Sequence, residues 1–307
     1  MLTYTIIIPH KNIPKLLQRC LDSIPCRDDL HIIVVDDNSD PNKVDFNHFP
    51  GYDRDDVELI FTKEGNGAGY ARNVGLEHAK SKKILFADAD DYFNYCLNDI
   101  LDKYKTDTAD IVFFKVCCLD SDYYTVNQNR FGYLNRFINN YDKNPDTAVQ
   151  QLKYDFGAPW CKMINKSIID NHHIRFDECI INNDTTFSYL IGYYANNIKV
   201  DKHAIFCITF RSDSLTYSID ENKILTIIEV QTNRDKFFKE HHINYKTKIN
   251  NHYRKMTDLY LSGNTALFNK CLEIFEKKGI RKRDVMMVVY KRILKEKLVP
   301  LRRFFKL

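Results

Sequence analysis

No stretch of the 307 residues comes near the roughly 18 consecutive apolar residues of a membrane-spanning helix, so no transmembrane segment is expected. The opening run Thr5-Ile6-Ile7-Ile8 is too short for the apolar region of a secretory signal, and no cleavage site follows it. Cysteine offers no framework either. The nine cysteines are odd in number, scattered and never spaced Cys-x-x-Cys, which argues against both a disulfide scaffold and a zinc site and for reduced thiols in the cytoplasm. Tryptophan occurs once, at Trp160. Hydrophobic content of 44% and charged content of 28% exclude disordered and collagen-like chains.

The net charge of +4 conceals an asymmetry. Ten Lys or Arg and two acids lie between Arg281 and Leu307, a local balance of about +8, so the rest of the chain is mildly acidic. The length suits one large catalytic domain and an appendage.

Short β-branched runs alternate with helical periodicity along the first 115 or so residues. Strands are expected at Tyr4 to Ile8, Ile32 to Val35, Val57 to Phe61, Ile84 to Ala87 and Ile111 to Phe114. Helices are expected after Asn12, which is placed to cap, over 68–80, and over Leu97 to Tyr104. Strand, helix and strand with short connections imply a parallel, doubly wound sheet, whose ligands bind beyond the carboxyl ends of the strands. Those ends carry Pro9-His10, Asp36-Asp37 and Asp88-Ala89-Asp90-Asp91. The polar stretch from Asp120 to Asp155 is left unassigned. Further on, Phe187, Leu190, Ile191 and Tyr194 share a helix face, a strand is expected at Ile205 to Phe210, and about four helices follow Asp220. The expected division is 1–218 for the catalytic domain and 219–307 for a helical region.

Alternating carboxylates at Asp88 and Asp90, read as lying on an extended segment, can offer oxygens to one hard cation, Mg²⁺ or Mn²⁺, that also contacts phosphate. An isolated Asp-x-Asp is equally the pattern of a solvated loop or a helix cap. Context comes from Asn66-Gly67-Ala68-Gly69-Tyr70-Ala71-Arg72, where small residues open a helix start to an anion and Arg72 adds charge one turn later.

These segments, in this order, resemble the family 2 glycosyltransferases of GT-A fold. The resemblance rests on Ile6 to Asn12, Ile32 to Asp40, Asn66 to Leu76 and Phe86 to Asp91, and extends more weakly through Trp160-Cys161-Lys162, Ile174 to Glu178 and Phe210 to Ser214. It implies an α/β, doubly wound mixed sheet with a C-terminal helical appendage, and an inverting transfer from a nucleotide-diphosphate sugar, UDP-linked by expectation. Pro9, His10 and Asn12 would line the nucleotide pocket, Asp37 would accept a hydrogen bond from the base, and Asn66, Gly67 and Arg72 would lie near the nucleotide. Asp88 would reach the ribose or a metal-bound water, Asp90 would ligate the metal, and Asp184 would be the catalytic base. Asp184 or Asn183 could instead simply cap a helix. Lys11 stands where the family commonly has an aromatic residue, and Asn183 where it has Glu.

Trp160, Lys162, Arg211 and Ser214 are candidates for the acceptor or phosphate side, with core packing an equal reading for Trp160. The expected acceptor is a glycan or lipid-linked glycan of bacterial surface polysaccharide assembly. In the tail, Val285, Met286, Val288, Val289, Ile293, Leu294 and Leu298 form an apolar stripe beside basic residues, until Pro300 interrupts. Residues 281–307 would therefore either lie on an anionic membrane surface, making the protein peripheral on the inner face of the cytoplasmic membrane, or pack on the helical region. No recognition motif supports nucleic-acid binding. The competing reading, a non-catalytic sugar-nucleotide-binding or scaffold protein on the same fold, is opposed by Asp88, Asp90 and Asp184 being present together.

Overall fold

The computed structural model describes residues 2–120, 125–126, 131–210, 220–247 and 251–304, with side chains to residue 295. Arg211 and Ser214 lie outside the described residues. The chain divides into one compact unit of 1–179 with 183–215, and a second of 180–182 with 216–307.

The first unit is α/β. Its strands are β1 (Tyr4–His10), β2 (Leu30–Asp37), β3 (Val57–Thr62), β4 (Lys83–Phe86), β5 (Tyr92–Phe93), β6 (Ile111–Asp120), β7 (Lys162–Asn165) and β8 (Ile198–Phe210). Among the described residues they form one mixed sheet in the order β3-β2-β1-β4-β7-β6-β8-β5. Every residue of β1 is buried, as expected for a strand covered on both faces. It runs parallel to β2 and β4, with Ile6 opposite Ile32 and Leu85. The β4 ladder stops at Ile7 opposite Phe86, so Pro9 falls beyond it, where its missing N–H breaks no bond to β4. The register places His10 opposite Asp36, and the carboxyl ends of β1, β2 and β4 open together on one side. Antiparallel β7 then joins β4 to β6, and β5 pairs with β8 through Tyr92 opposite Cys207.

The helices are α1 (Pro14–Asp22), α2 (Ala68–His78), α3 (Leu97–Tyr104), α4 (Gly132–Asn140), α5 (Pro145–Tyr154), α6 (Lys166–Asn171) and α7 (Thr185–Tyr194). Asn12 does not cap α1. The cap position is Ile13, without a side-chain bond, and Asn12 adopts a left-handed φ of 61° while its Oδ1 accepts the Asp40 N–H at 2.7 Å. The side chain is spent on tying the β1 and β2 ends together. None of the nine cysteines is in a disulfide.

The second unit holds α8 (Glu221–Glu240), α9 (Asn251–Leu261), α10 (Thr265–Lys277) and α11 (Lys282–Phe304), around Ile228, Met256, Cys271, Phe275, Val285 and Val289. Val285 and Val289 are fully buried, so the first turns of the basic tail pack within this unit, while Met287, Tyr290 and Leu294 are exposed. Pro300 does not end the helix: α11 stays helical to Phe304, since a proline removes one backbone bond and an otherwise intact helix can absorb that loss. No helix among the described residues is long and apolar enough to cross a membrane.

Candidate active site

Asp37 ends β2 with its side chain buried, 2% exposed. Its Oδ2 accepts the Gly67 N–H at 3.0 Å and the Lys11 ammonium at 3.3 Å. Its Oδ1 is buried without any hydrogen-bond partner. Gly67, at φ 93°, takes a conformation open to glycine and turns its N–H to the carboxylate just as α2 begins. Asn66 is exposed beside it. An unmet buried acceptor at the mouth of the sheet suits a single N–H from a ligand.

His10 is not available to a nucleotide. Its Nδ1 lies 2.7 Å from Asp36 and its Nε2 accepts the Ile13 N–H at 3.1 Å, so the ring donates from Nδ1 and is only 2% exposed. Burial works against the charge on Asp36, but His10 and the Ser39 hydroxyl and N–H hold its carboxyl below the usual range. Ser39 in turn accepts the Asn12 N–H at 2.8 Å. Pro9, His10 and Asn12 therefore shape the strand ends, and the buried His10 ring, with both nitrogens occupied, has none left to offer a ligand.

The acidic run forms a turn and not the extended segment expected, with the Asp91 N–H bonded to Asp88 O at 3.0 Å. Asp88 and Asp90 are part-exposed, whereas Ala89 and Asp91 are buried. Arg19 and the Thr209 hydroxyl both donate to the Asp90 carbonyl, and the Thr209 N–H donates to Asp91 at 2.7 Å, which pins the turn between α1 and the end of β8. Burial, then the charges of Asp90 and Asp88, push the Asp91 carboxyl well above the usual range. Among the described residues no group of three His, Cys, Asp or Glu could hold an ion. Two part-exposed carboxylates on one turn fit a hard divalent cation that takes its remaining oxygens from a diphosphate and water.

Arg72, on α2 and only 6% exposed, spans the centre of the site. Nη2 donates to Asp88 Oδ1 at 2.6 Å, Nη1 to Asn183 Oδ1 at 2.9 Å, and the guanidinium lies 5.3 Å over the Phe176 ring. The next residue, Asp184, sits at the N-cap position of α7 but makes no side-chain cap bond, so capping does not account for it. Desolvation is the main influence raising its carboxyl above the usual range. Arg72 and Lys162 oppose that rise and Asp88 adds to it.

Two residues that the sequence did not single out hold this segment. Asn73 pairs with the Phe176 backbone in both directions, at 3.0 and 2.8 Å. Thr209 braces the acidic turn by donating to it from both its hydroxyl and its N–H. Gly69 matters by close approach: a Cβ there would stand 2.1 Å from Asp177 O. The only sequence signal for Asn73 is its place in the Arg72-Asn73 pair, and for Thr209 there is none.

Trp160 and Lys162 leave the list of acceptor-side candidates. Trp160 is 5% exposed among Phe131, Phe156 and Phe206, and Lys162 is 1% exposed with its ammonium on the Phe156 carbonyl at 2.7 Å. Both side chains are consumed by the core.

Comparison with known proteins follows the same lines. The chain is 26% identical over 243 residues to the teichoic acid poly(glycerol phosphate) polymerase of Staphylococcus epidermidis, covering 77% of this chain and 31% of the relative. It is 26% identical over 212 residues to the poly(ribitol-phosphate) β-N-acetylglucosaminyltransferase TarP of Staphylococcus aureus, covering 68% and 55%. The chain thus spans about a third of the first of these relatives and just over half of the second. The crystal structure of S. aureus TarS in complex with UDP-GlcNAc superposes with a TM-score of 0.65 at 19% identity, over 92% of this chain and 83% of that one, which makes the fold that of a GT-A glycosyltransferase. The model of the family described as glycosyl transferase family 2 matches residues 5–172, more than half of the 307 residues, and the chain belongs to that family.

Proposed function

We propose that the chain transfers a sugar from a UDP-sugar, with inversion, to a hydroxyl of a glycan or polyol-phosphate polymer of the bacterial cell surface. The observation that carries this reading is the Arg72 bridge: one guanidinium joins Asp88, on the donor-phosphate side, to Asn183, whose neighbour Asp184 sits at a helix N-terminus without spending its carboxylate on a cap bond. The printed names of the relatives, polymerases and transferases of polyol-phosphate chains, support the acceptor class, and the UDP-GlcNAc held by TarS supports the donor class.

In this reading Asp37 Oδ1 accepts the imide N–H of uracil, and Gly67 and Lys11 hold its other oxygen in place. Arg72 faces the diphosphate and shields Asp184 from the charge of Asp88. Asp184 takes the acceptor hydroxyl proton as that oxygen attacks the anomeric carbon; the raised basicity that desolvation gives it suits a general base. Asp90 and Asp88 would hold Mg²⁺ or Mn²⁺, which as a Lewis acid neutralises charge on the departing diphosphate. The exposed side of α11, with Met287, Tyr290 and Leu294 among Arg283, Lys291 and Lys295, would rest on the anionic inner membrane surface, where lipid-linked polymers are assembled.

The deciding experiment is calorimetric titration with UDP-, GDP-, CMP- and dTDP-sugars, with and without Mn²⁺, in the native protein and in Asp184→Asn. The expected result is metal-dependent binding of a UDP-sugar by both proteins and transfer by the native one alone. Folded protein that binds none of the panel, or full transfer by Asp184→Asn, would overturn the reading.

A further inference from the structure

A lysine that is 1% exposed is unusual, and Lys162 is fully enclosed. Its Nζ donates to the Phe156 carbonyl at 2.7 Å and to Ser188 Oγ at 3.2 Å, and lies 4.9 and 5.7 Å from the Phe156 and Phe113 ring centroids. Each of these partners is neutral. Ser188 stands one turn along α7 from Asp184, with its N–H on the Asp184 carbonyl at 2.9 Å and its hydroxyl donating to Gly157 O. The ammonium is thus fastened to the first turn of the helix that begins at Asp184.

We propose that Lys162 is a positioning residue for the transfer, a buried positive charge behind α7 that keeps the Asp184 carboxylate ionised and ready to take the acceptor proton. The inference rests on the reading of Asp184 as the base. Burial is the main influence against the Asp184 charge. Arg72 from α2, the backbone at Asp184 and, more weakly, Lys162 from β7 favour that charge, and Asp88 from the acidic turn disfavours it. Arg72 is the larger of the two positive influences and is also paired with Asp88, whereas the hydrogen bonds of the Lys162 ammonium go to neutral groups, Phe156 O and Ser188 Oγ, which leaves its charge unspent on any pair. On the lysine itself, burial pushes the pKa down to about 7, and Asp184 is the leading influence that holds it up.

Charge and hydrogen bonding separate cleanly in two variants. Lys162→Gln keeps donors for Phe156 O and Ser188 without the charge, and Lys162→Met keeps neither. The kcat/KM profile, followed from about pH 5 to about pH 9, is expected to show an acid limb displaced upward in both, so transfer on that limb is about threefold slower and recovers at high pH. A native acid limb in Lys162→Gln, or an equal loss at every pH in both variants, would overturn the proposal. Should neither variant fold, the intact protein answers the question by ¹³C NMR of the Asp184 carboxyl, assigned by its loss in Asp184→Asn. A second inflection is expected near pH 7, as Lys162 gives up its proton, and a flat trace there would refute the coupling. Full transfer by Asp184→Asn would remove the base and leave this coupling standing, so the two ideas fail separately.

Discussion

Replacing Arg72 by Met tests whether the bridge holds the site together. The substitution keeps an unbranched apolar stem but removes the guanidinium over Phe176 and two hydrogen bonds, one of them to a carboxylate. Both bonds have an ionised donor, a bond involving a charged group contributes about 1.5–3 kcal/mol, and truncating one partner leaves the other unmet. Asp88 is 32% exposed and can rehydrate, so the lower end applies to its share. The sum is a destabilisation of about 3 kcal/mol, which for a unit of this size lowers Tm by roughly 6–12 °C. Urea and thermal unfolding of Arg72→Met, Asp88→Asn and the double variant form a cycle, with an expected coupling of about 1.5 kcal/mol. Arg72→Lys, a single point donor, is expected to retain only part of the stability because it cannot reach both oxygens in one plane. A loss below about 0.5 kcal/mol, or strictly additive single variants, would refute the bridge as a structural element.

Other substitutions probe other seams. Gly69→Ala puts a Cβ 2.1 Å from the Asp177 carbonyl, and the displaced backbone is expected to cut transfer at least tenfold while UDP binding, read by calorimetry, changes much less. Asp201→Asn addresses pH. Burial opposes the charge of Asp201, but Lys103, the backbone and ring of His203 and the Tyr104 hydroxyl outweigh it and hold the carboxyl well below the usual range. A depressed folded-state pKa stabilises above the unfolded value of about 3.9 and is lost as pH falls below it. The variant is therefore expected to be less stable than native protein by about 2 kcal/mol at neutral pH, with the gap closing below about pH 3 in denaturant titrations. For the α11 surface, Lys291→Glu/Leu294→Ser/Lys295→Glu leaves buried Val285 and Val289 untouched, and co-sedimentation with phosphatidylserine vesicles is expected to fall and to lose its salt sensitivity. Equal sedimentation of the two proteins would dismiss the membrane contact.

The strands around the site could be read because β-branched runs such as Ile6-Ile7-Ile8 and Ile32-Ile33-Val34-Val35 are buried on both faces, and the observed β1 and β2 extend those readings only at their ends. β8 reads shorter in the sequence than its 13 residues, because its first half, Lys199 to His203, is charged and looks like loop. α4 does place Leu134, Phe137 and Ile138 on one buried face, but that short period sits within a long Asn-, Asp- and Tyr-rich stretch that reads as polar, and β7 has only four residues, too few to show a period. Acidic residues of the site declared themselves by chemistry. Their supports did not: Thr209 lies more than a hundred residues from Asp90, and Asn73 reaches Phe176 across a similar gap. His10 shows the opposite failure, a residue placed in the pocket by resemblance whose ring was already engaged at both nitrogens.

The lone oxygen of Asp37 has a consequence for selectivity. A buried acceptor left unmet costs about 1–3 kcal/mol, so in the proposed role of Asp37 a base that brings an N–H to Oδ1 gains about that much over one that does not. On that proposal a nucleotide that turns a bare nitrogen or carbonyl toward Oδ1 gains nothing from it and adds repulsion, so wrong donors would be rejected at the base, before their sugars are inspected.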